Sequence, residues 1–379
     1  MGKFLWTVVK INIASPGRFH VMDLARELDR QGFDVRFYSF VPDKRAEKFG
    51  LKKECNASLF LFMAPFLLLQ RLMPSLKIVT IKVQDWLTGL LMRRCDVLIA
   101  MSGNYVYTLK RAKRQGAVVI LERGSKHILE QKRILESIPS LKGTKPVPDI
   151  NVKRELKGYE LADYISIASQ HVLCSFVERG YPLEKLFVNP YGVDLKDFYP
   201  ESAEKEYDVV MVGGWNYRKG VDLLTQACRE LHLSLLHVGG IGDMAFPKDE
   251  RFHHVDPVDQ KQLIHYYNKG HIFALASREE GMAMVQMQAI ACGLPIVCSM
   301  HTGGSDIGEV TGMKNWIFEM EEYTVEELKR QILLALDFSK TCDPKTLRLE
   351  NLSWEAYGKR YAAFLWEKLS RNACKPKSV

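Results

Sequence analysis

Three loops hold the residues of this chain whose types and spacing could do chemistry. The first is Arg278-Glu279-Glu280-Gly281, between the apolar run Ile272–Leu275 and a stretch of good helix formers from Met282 to Cys292. Two carboxylates there stand at the mouth of a helix whose free N–H groups at Met282, Ala283 and Met284 favour an anion. The second is Gly213-Gly214-Trp215-Asn216-Tyr217-Arg218-Lys219-Gly220. A glycine-rich turn carrying Arg and Lys suits a pyrophosphate, because backbone can approach closely and the cations neutralise it. The third is Glu122-Arg123-Gly124-Ser125-Lys126-His127. A smaller cluster, Gly17, Arg18 and His20, lies near the N-terminus. Arg18 and His20 could meet a ligand phosphate, or be ordinary loop and first-turn residues.

Each loop joins a strand to a helix. Trp6–Ile13 reads as a strand, broken by Ala14-Ser15-Pro16-Gly17; Val21, Leu24, Ala25 and Leu28 recur at helical spacing, and Asp34–Phe40 is a second strand. The turn lacks the full Gly-x-Gly-x-x-Gly fingerprint, so a dinucleotide site is weakly supported. Strands are expected at Asp96–Ala100, Ala117–Leu121, Asp163–Ile167 and Leu186–Val188, with a basic helix at Tyr105–Gln115. A polar, turn-rich stretch follows Pro200, and then Tyr207–Val212 opens a second series: Leu235–Val238, Ile272–Leu275 and Pro295–Cys298, with helices at Val221–Glu230, Asp259–Lys269 and Met282–Cys292. Gly293 and Pro295 stop the last of these. Loops at the C-terminal ends of parallel strands are where open α/β sheets bind ligands.

At 379 residues the chain is long for one domain. Residues 1–150 carry 26 Lys and Arg against 13 Asp and Glu, the remainder 27 against 32, so the halves are expected to face different partners. The basic half suits an anionic surface or a phosphorylated ligand. It has no basic motif interleaved with aromatics, and nucleic acid is not expected. The eight cysteines include no C-x-x-C pair and several sit in apolar runs, which argues for reduced thiols in the cytoplasm. No signal peptide is read at the N-terminus. Ala57–Leu69 is the most apolar stretch, too short to span a bilayer and readable as a core helix or an interfacial segment.

The first loop and its helix also carry a family likeness. Glu280-Gly281 followed by Ala289-Ile290-Ala291-Cys292-Gly293-Leu294-Pro295 resembles the acidic motif of family-4 glycosyltransferases, which have the two-domain GT-B architecture. The family has a second Glu eight positions after the first; here Gln288 stands there. Pro190-Tyr191-Gly192-Val193-Asp194 resembles the segment that ends the family's first domain, and Thr302-Gly303-Gly304 its Thr-Gly-Gly loop. Lys219-Gly220 fits the family's Lys-Gly pair; the family's Arg falls on Gly214, and Arg218 is the expected substitute.

The resemblance implies an α/β fold of two doubly wound Rossmann-like domains facing across a cleft. The domains expected are 1–190 (acceptor side), 207–353 (donor side), a linker at 191–206, and a C-terminal helix, 354–379, returning to the first domain. The implied activity is retaining transfer of a sugar from a nucleoside-diphosphate sugar to a glycan or lipid-linked acceptor, as in bacterial polysaccharide assembly. No cofactor or metal is required, and UDP and GDP types stay open. Implied donor-binding residues are Gly214, Arg218, Lys219, Glu280, Gly281, Met282, Ala283, Met284 and Gln288. Gly17, Arg18, His20 and Arg123 are the acceptor side. Glu280, Lys219 and His127 are the catalytic candidates, His127 as the His nearest to where many members carry one. Glu280 would accept hydrogen bonds from sugar hydroxyls or buffer charge at the anomeric carbon. The expected location is cytoplasmic, with the inner membrane face as an added partner. Two rival readings share the fold: a nucleotide-sugar hydrolase or epimerase, and a non-catalytic nucleotide-sugar binder.

Overall fold

The computed structural model describes residues 8–373, with side chains to residue 370. The start of the first expected strand at Trp6 and the polar tail after Ala373 lie outside the described residues. The first sheet holds β1 (Lys10–Ala14), β2 (Asp34–Ser39), β3 (Asn56–Ser58), β4 (Val97–Met101), β5 (Val118–Arg123), β6 (Tyr164–Ile167) and β7 (Leu186–Val188). Its spatial order is β3-β2-β1-β4-β5-β6-β7, every pairing parallel. Central strands of such a sheet are covered on both faces, which explains runs such as Val97-Leu98-Ile99-Ala100 with no polar alternation.

The second sheet holds β8 (Tyr207–Val212), β9 (Leu235–Val238), β10 (Phe252–Val255), β11 (Gly270–Leu275), β12 (Ile296–Ser299) and β13 (Ile317–Met320), in the order β10-β9-β8-β11-β12-β13 and again all parallel. In both sheets the strand order reverses once, between β1 and β4 and between β8 and β11. At such a switch point the two neighbouring loops diverge and leave a crevice beyond the strand ends. In the second domain those two loops are Gly213–Gly220 and Ala276–Gly281.

The last helix, Trp354–Ala373, lies on the first domain. A Cβ on Gly358 would come within 2.3 Å of Glu27 Cβ on the helix Phe19–Arg30, so only Gly allows that approach. Trp366 stacks on Phe33 with ring centroids 5.0 Å apart. The Tyr361 hydroxyl donates to Glu122 at 2.7 Å, and His20 Nε2 lies 2.9 Å from the other Glu122 oxygen, so these three groups form a buried chain.

Three edge strands, β3, β10 and β13, were not foreseen. They have three or four residues each, and Asn56-Ala57-Ser58 and Phe252-His253-His254-Val255 carry no apolar run. The apolar stretch Ala57–Leu69 is not core. It becomes the helix Phe60–Leu72, in which Met63 alone is buried, and it is followed by a second helix, Lys77–Leu91, that the pattern did not suggest.

Candidate active site

The two second-domain loops are locked together by a glycine. Gly220 adopts φ +67, and a Cβ there would fall 1.8 Å from the Ala276 carbonyl oxygen. Arg218 and Lys219 are thereby held against Glu279 and Glu280. Lys219 Nζ is 2.6 Å from Glu280 Oε1, and both side chains are nearly buried. Arg218 Nη1 lies 3.6 Å from the same oxygen, and the Ser277 hydroxyl donates to it at 3.3 Å. Burial pushes the Glu280 carboxyl up, but Lys219 and then Arg218 outweigh it, and its pKa ends below the ordinary value. Glu280 in turn is the first cause that raises the Arg218 pKa.

Glu279, which the motif did not single out, is fully buried and bridges the domains. From the first domain it accepts hydrogen bonds from the Ser125 hydroxyl, the Lys126 amide at 3.3 Å and Gln131 Nε2 at 3.1 Å. From its own domain Arg218 Nη1 approaches at 3.4 Å. Gly281 makes the closure possible: a Cβ there would lie 2.4 Å from the Gly124 carbonyl oxygen. The Ser169 hydroxyl donates to the Gly281 carbonyl at 2.6 Å, and His171 Nε2 lies 3.0 Å from the Glu280 carbonyl. A carbonyl only accepts, so His171 carries its proton on Nε2. Burial drops the His171 pKa to about 4, which keeps the ring neutral. His301 falls to about 4 through burial and then through Lys126, whose Nζ is 3.2 Å from its Nδ1.

Several expectations need correcting. The helix after the acidic loop begins at Met284, not Met282. Ala283 is extended, and its N–H donates to the Thr302 carbonyl at 3.1 Å, so that amide is not available to an anion. Arg218 and Lys219, expected at a donor pyrophosphate, both face carboxylates. Gln288 is buried, and its Oε1 accepts from the Tyr267 hydroxyl at 3.0 Å. A Cβ on Gly214 would lie 2.8 Å from Asn216 Nδ2, and the Asn216 side chain caps the turn that presents Lys219. A side chain at position 214 would have to displace the Asn216 amide from this place.

The first-domain candidates are placed in supporting positions. His127 caps the helix Ile128–Ser137, accepting from the Leu129 amide at 3.3 Å, and packs between Tyr159 and Phe176. Burial, then Arg123, lowers its pKa to about 4. Arg123 is buried, paired with Glu155 at 2.8 Å and bonded to the Lys126 carbonyl, so it shapes the loop. His20 belongs to the buried chain with Glu122 and Tyr361. Arg18 donates to Gln260 of the second domain at 2.7 Å, lies over Phe49 and is 3.6 Å from the Asp23 carboxylate. Gly17 sits in an open turn in which its carbonyl accepts from the Ser15 hydroxyl.

A cavity of about 460 Å³ lies in the first domain beside this cluster and is lined from the second domain by Arg218. Gln131, Arg123, Glu155, Lys77 and Ile81 are among its other lining residues. Among the described residues no group of three or more His, Cys, Asp or Glu side chains converges as metal ligands would.

Two Rossmann-like domains, a cleft between them and a last helix returned to the first make this the GT-B architecture of glycosyltransferases. Residues 206–337, which include most of the second domain, match the family described as glycosyl transferases group 1. Over nearly the whole chain the fold is similar to sucrose-phosphate synthase from Thermosynechococcus elongatus: TM-score 0.67, 16% identity, 96% of this chain and 100% of that one. It is also similar to Anabaena HepE in complex with UDP and glucose: TM-score 0.64, 13% identity, 94% and 99% covered. At these identities the likeness is one of fold. One component of human phosphatidylinositol N-acetylglucosaminyltransferase is 29% identical over 159 residues, which are 36% of this chain and 33% of that protein, so the match spans a third of the human relative's length.

Proposed function

We propose that this chain is a retaining glycosyltransferase that moves a sugar from a nucleoside-diphosphate sugar to a glycan or lipid-linked acceptor, with no metal or cofactor required. The observation that supports it most is the Glu280–Lys219 pair at the second sheet's switch point, with Arg218 alongside. The donor diphosphate would lie on Lys219 and Arg218, whose carboxylate partners hold them in place before it arrives. Preset cations at the leaving group lower the barrier without reorganisation. The sugar would lie toward Glu280. The acceptor hydroxyl oxygen then bonds to the anomeric carbon on the face from which the diphosphate departs, the carbon–oxygen bond to phosphate breaks, and the leaving phosphate oxygen takes the acceptor's proton. HepE binds UDP and glucose, and the human relative's name couples a sugar to a lipid, so UDP-sugars and lipid acceptors are the first to try.

One observation favours the non-catalytic reading: Gln288, where the family has its second Glu, is engaged by Tyr267. Thermal-shift screening of nucleotide sugars, followed by transfer assays with the donor that stabilises, separates the two. Glu280→Ala and Lys219→Ala are each expected to lower transfer at least about tenfold, roughly 1.4 kcal/mol of transition-state stabilisation. Donor binding without product under any acceptor supports the binder instead, and donor turnover without acceptor a hydrolase.

A further inference from the structure

The helical hairpin formed by Phe60–Leu72 and Lys77–Leu91 has an outer face with nothing on it. Of the 21 large apolar residues exposed in the described structure, 11 fall within these 32 residues, so the exposure is concentrated. Leu61, Leu68, Leu69 and Leu72 follow one helical stripe, with Leu61 84% and Leu72 71% exposed. Val79, Trp86 and Leu90 form the matching stripe on the second helix.

The exposed charges of the hairpin itself have one sign. Arg71, Lys77, Lys82 and Arg94 are exposed and have no ion-pair partner among the described residues. Lys82 stands in the middle of the Val79–Leu90 stripe. Between Cys55 and Cys95 the single acid is Asp85, which is buried and capped onto the amides of Val106, Tyr107 and Thr108. An apolar face on a hairpin whose own exposed charges are all cations is complementary to an anionic bilayer, where acyl chains take the apolar groups and headgroups the cations. Trp86 suits the interface between the two. No helix among the described residues is long and apolar enough to cross a membrane, so the hairpin would lie on the surface.

We propose that the Phe60–Leu91 hairpin is a bilayer-docking element that seats this face in the headgroup region of an anionic membrane. In the basic helix expected to face anions, Lys113 is paired with Asp163 at 2.7 Å. Lys77 and Ile81, about half a turn round the second helix from the Val79–Leu90 stripe, line the cavity that Arg218 closes. The docking does not depend on the transferase reading.

The test is sedimentation of the full chain with phosphatidylcholine vesicles with and without phosphatidylglycerol. Wild type is expected to bind the anionic vesicles. Leu61→Asp with Leu72→Asp should lower the partition coefficient at least tenfold with an unchanged melting temperature, since both positions face solvent. Arg71→Glu, Lys77→Glu and Lys82→Glu together should lower it roughly a hundredfold, about fivefold per cation removed. Absence of wild-type binding, or equal binding by the Asp variant, overturns the proposal. So does a wild-type dimer that Leu61→Asp dissociates in the absence of vesicle binding, which would make a second copy the occupant.

Discussion

Lys219→Ala removes the ammonium 2.6 Å from Glu280 Oε1. With side-chain exposures of 12% and 11% the pair is poorly reached by water, and breaking such a pair from one side costs about 3–5 kcal/mol because the remaining charge is stranded. Here the cost is smaller, since Arg218 at 3.6 Å and the Ser277 hydroxyl at 3.3 Å stay with the carboxylate. We expect about 2–3 kcal/mol for Lys219→Ala and about 1–2 kcal/mol for Glu280→Gln, which keeps the shape and one acceptor. The double variant strands neither charge, so its loss should fall short of the sum by about 1.5 kcal/mol or more. Urea titrations of the four forms give the cycle directly, read as midpoint shifts at constant slope. A coupling below about 0.5 kcal/mol would refute the reasoning, because contacting charges in a buried site cannot be additive. In transfer assays the double variant should be no worse than the poorer single one, as for residues that act as a unit.

Gly281→Ala places a Cβ 2.4 Å from the Gly124 carbonyl, so the domains must part locally; small-angle scattering should show a larger radius of gyration, and an unchanged value would mean that the contact is not kept in solution. Acidification should destabilise the fold: burial holds His127, His171, His237 and His301 near pKa 4, so between about pH 6.5 and 4 the unfolded chain binds more protons and stability falls as pH falls. Asp306, raised to about 6 by burial, and Asp23, also raised by burial, act in the opposite direction, since their protonated folded forms gain on acidification, but they are two groups against four. A melting temperature flat from pH 6.5 to 4.5 would contradict this. Gln288→Glu keeps the acceptor for Tyr267 and adds charge; donor affinity measured by calorimetry should tighten, and weakening would mean that the pocket is tuned to the amide.

The strands that pass through the middle of each sheet were legible because burial on both faces writes them as apolar runs; Tyr207–Val212 and Leu235–Val238 have the same bounds in sequence and structure, and so does the edge strand Leu186–Val188. The edge strands β3, β10 and β13 had no such signal. Glu280, Lys219 and Arg218 were readable as residue types in strand-to-helix loops, but their mutual pairing was not, since it depends on how two loops distant in sequence converge at the switch point. Glu279 was adjacent to a residue already singled out, yet its partners Ser125 and Gln131 come from the other domain. The hairpin was half visible: its apolar composition was plain, but periodicity cannot tell a buried stripe from one facing solvent.

The chain of Tyr361, Glu122 and His20 bears on how the protein is made. Glu122 ends a strand of the first sheet, yet one of its two buried oxygens is satisfied by a residue near the far end of the sequence. On a ribosome, roughly 170 residues must still be synthesised after β7 before Tyr361 appears, a wait of roughly ten to thirty-five seconds at common elongation rates. Throughout that interval the nascent first domain holds a carboxylate that water must solvate and a bare helix face at Glu27. The packing of the first domain is therefore completed only when the last helix arrives, and its maturation is timed by the translation of the C-terminal half.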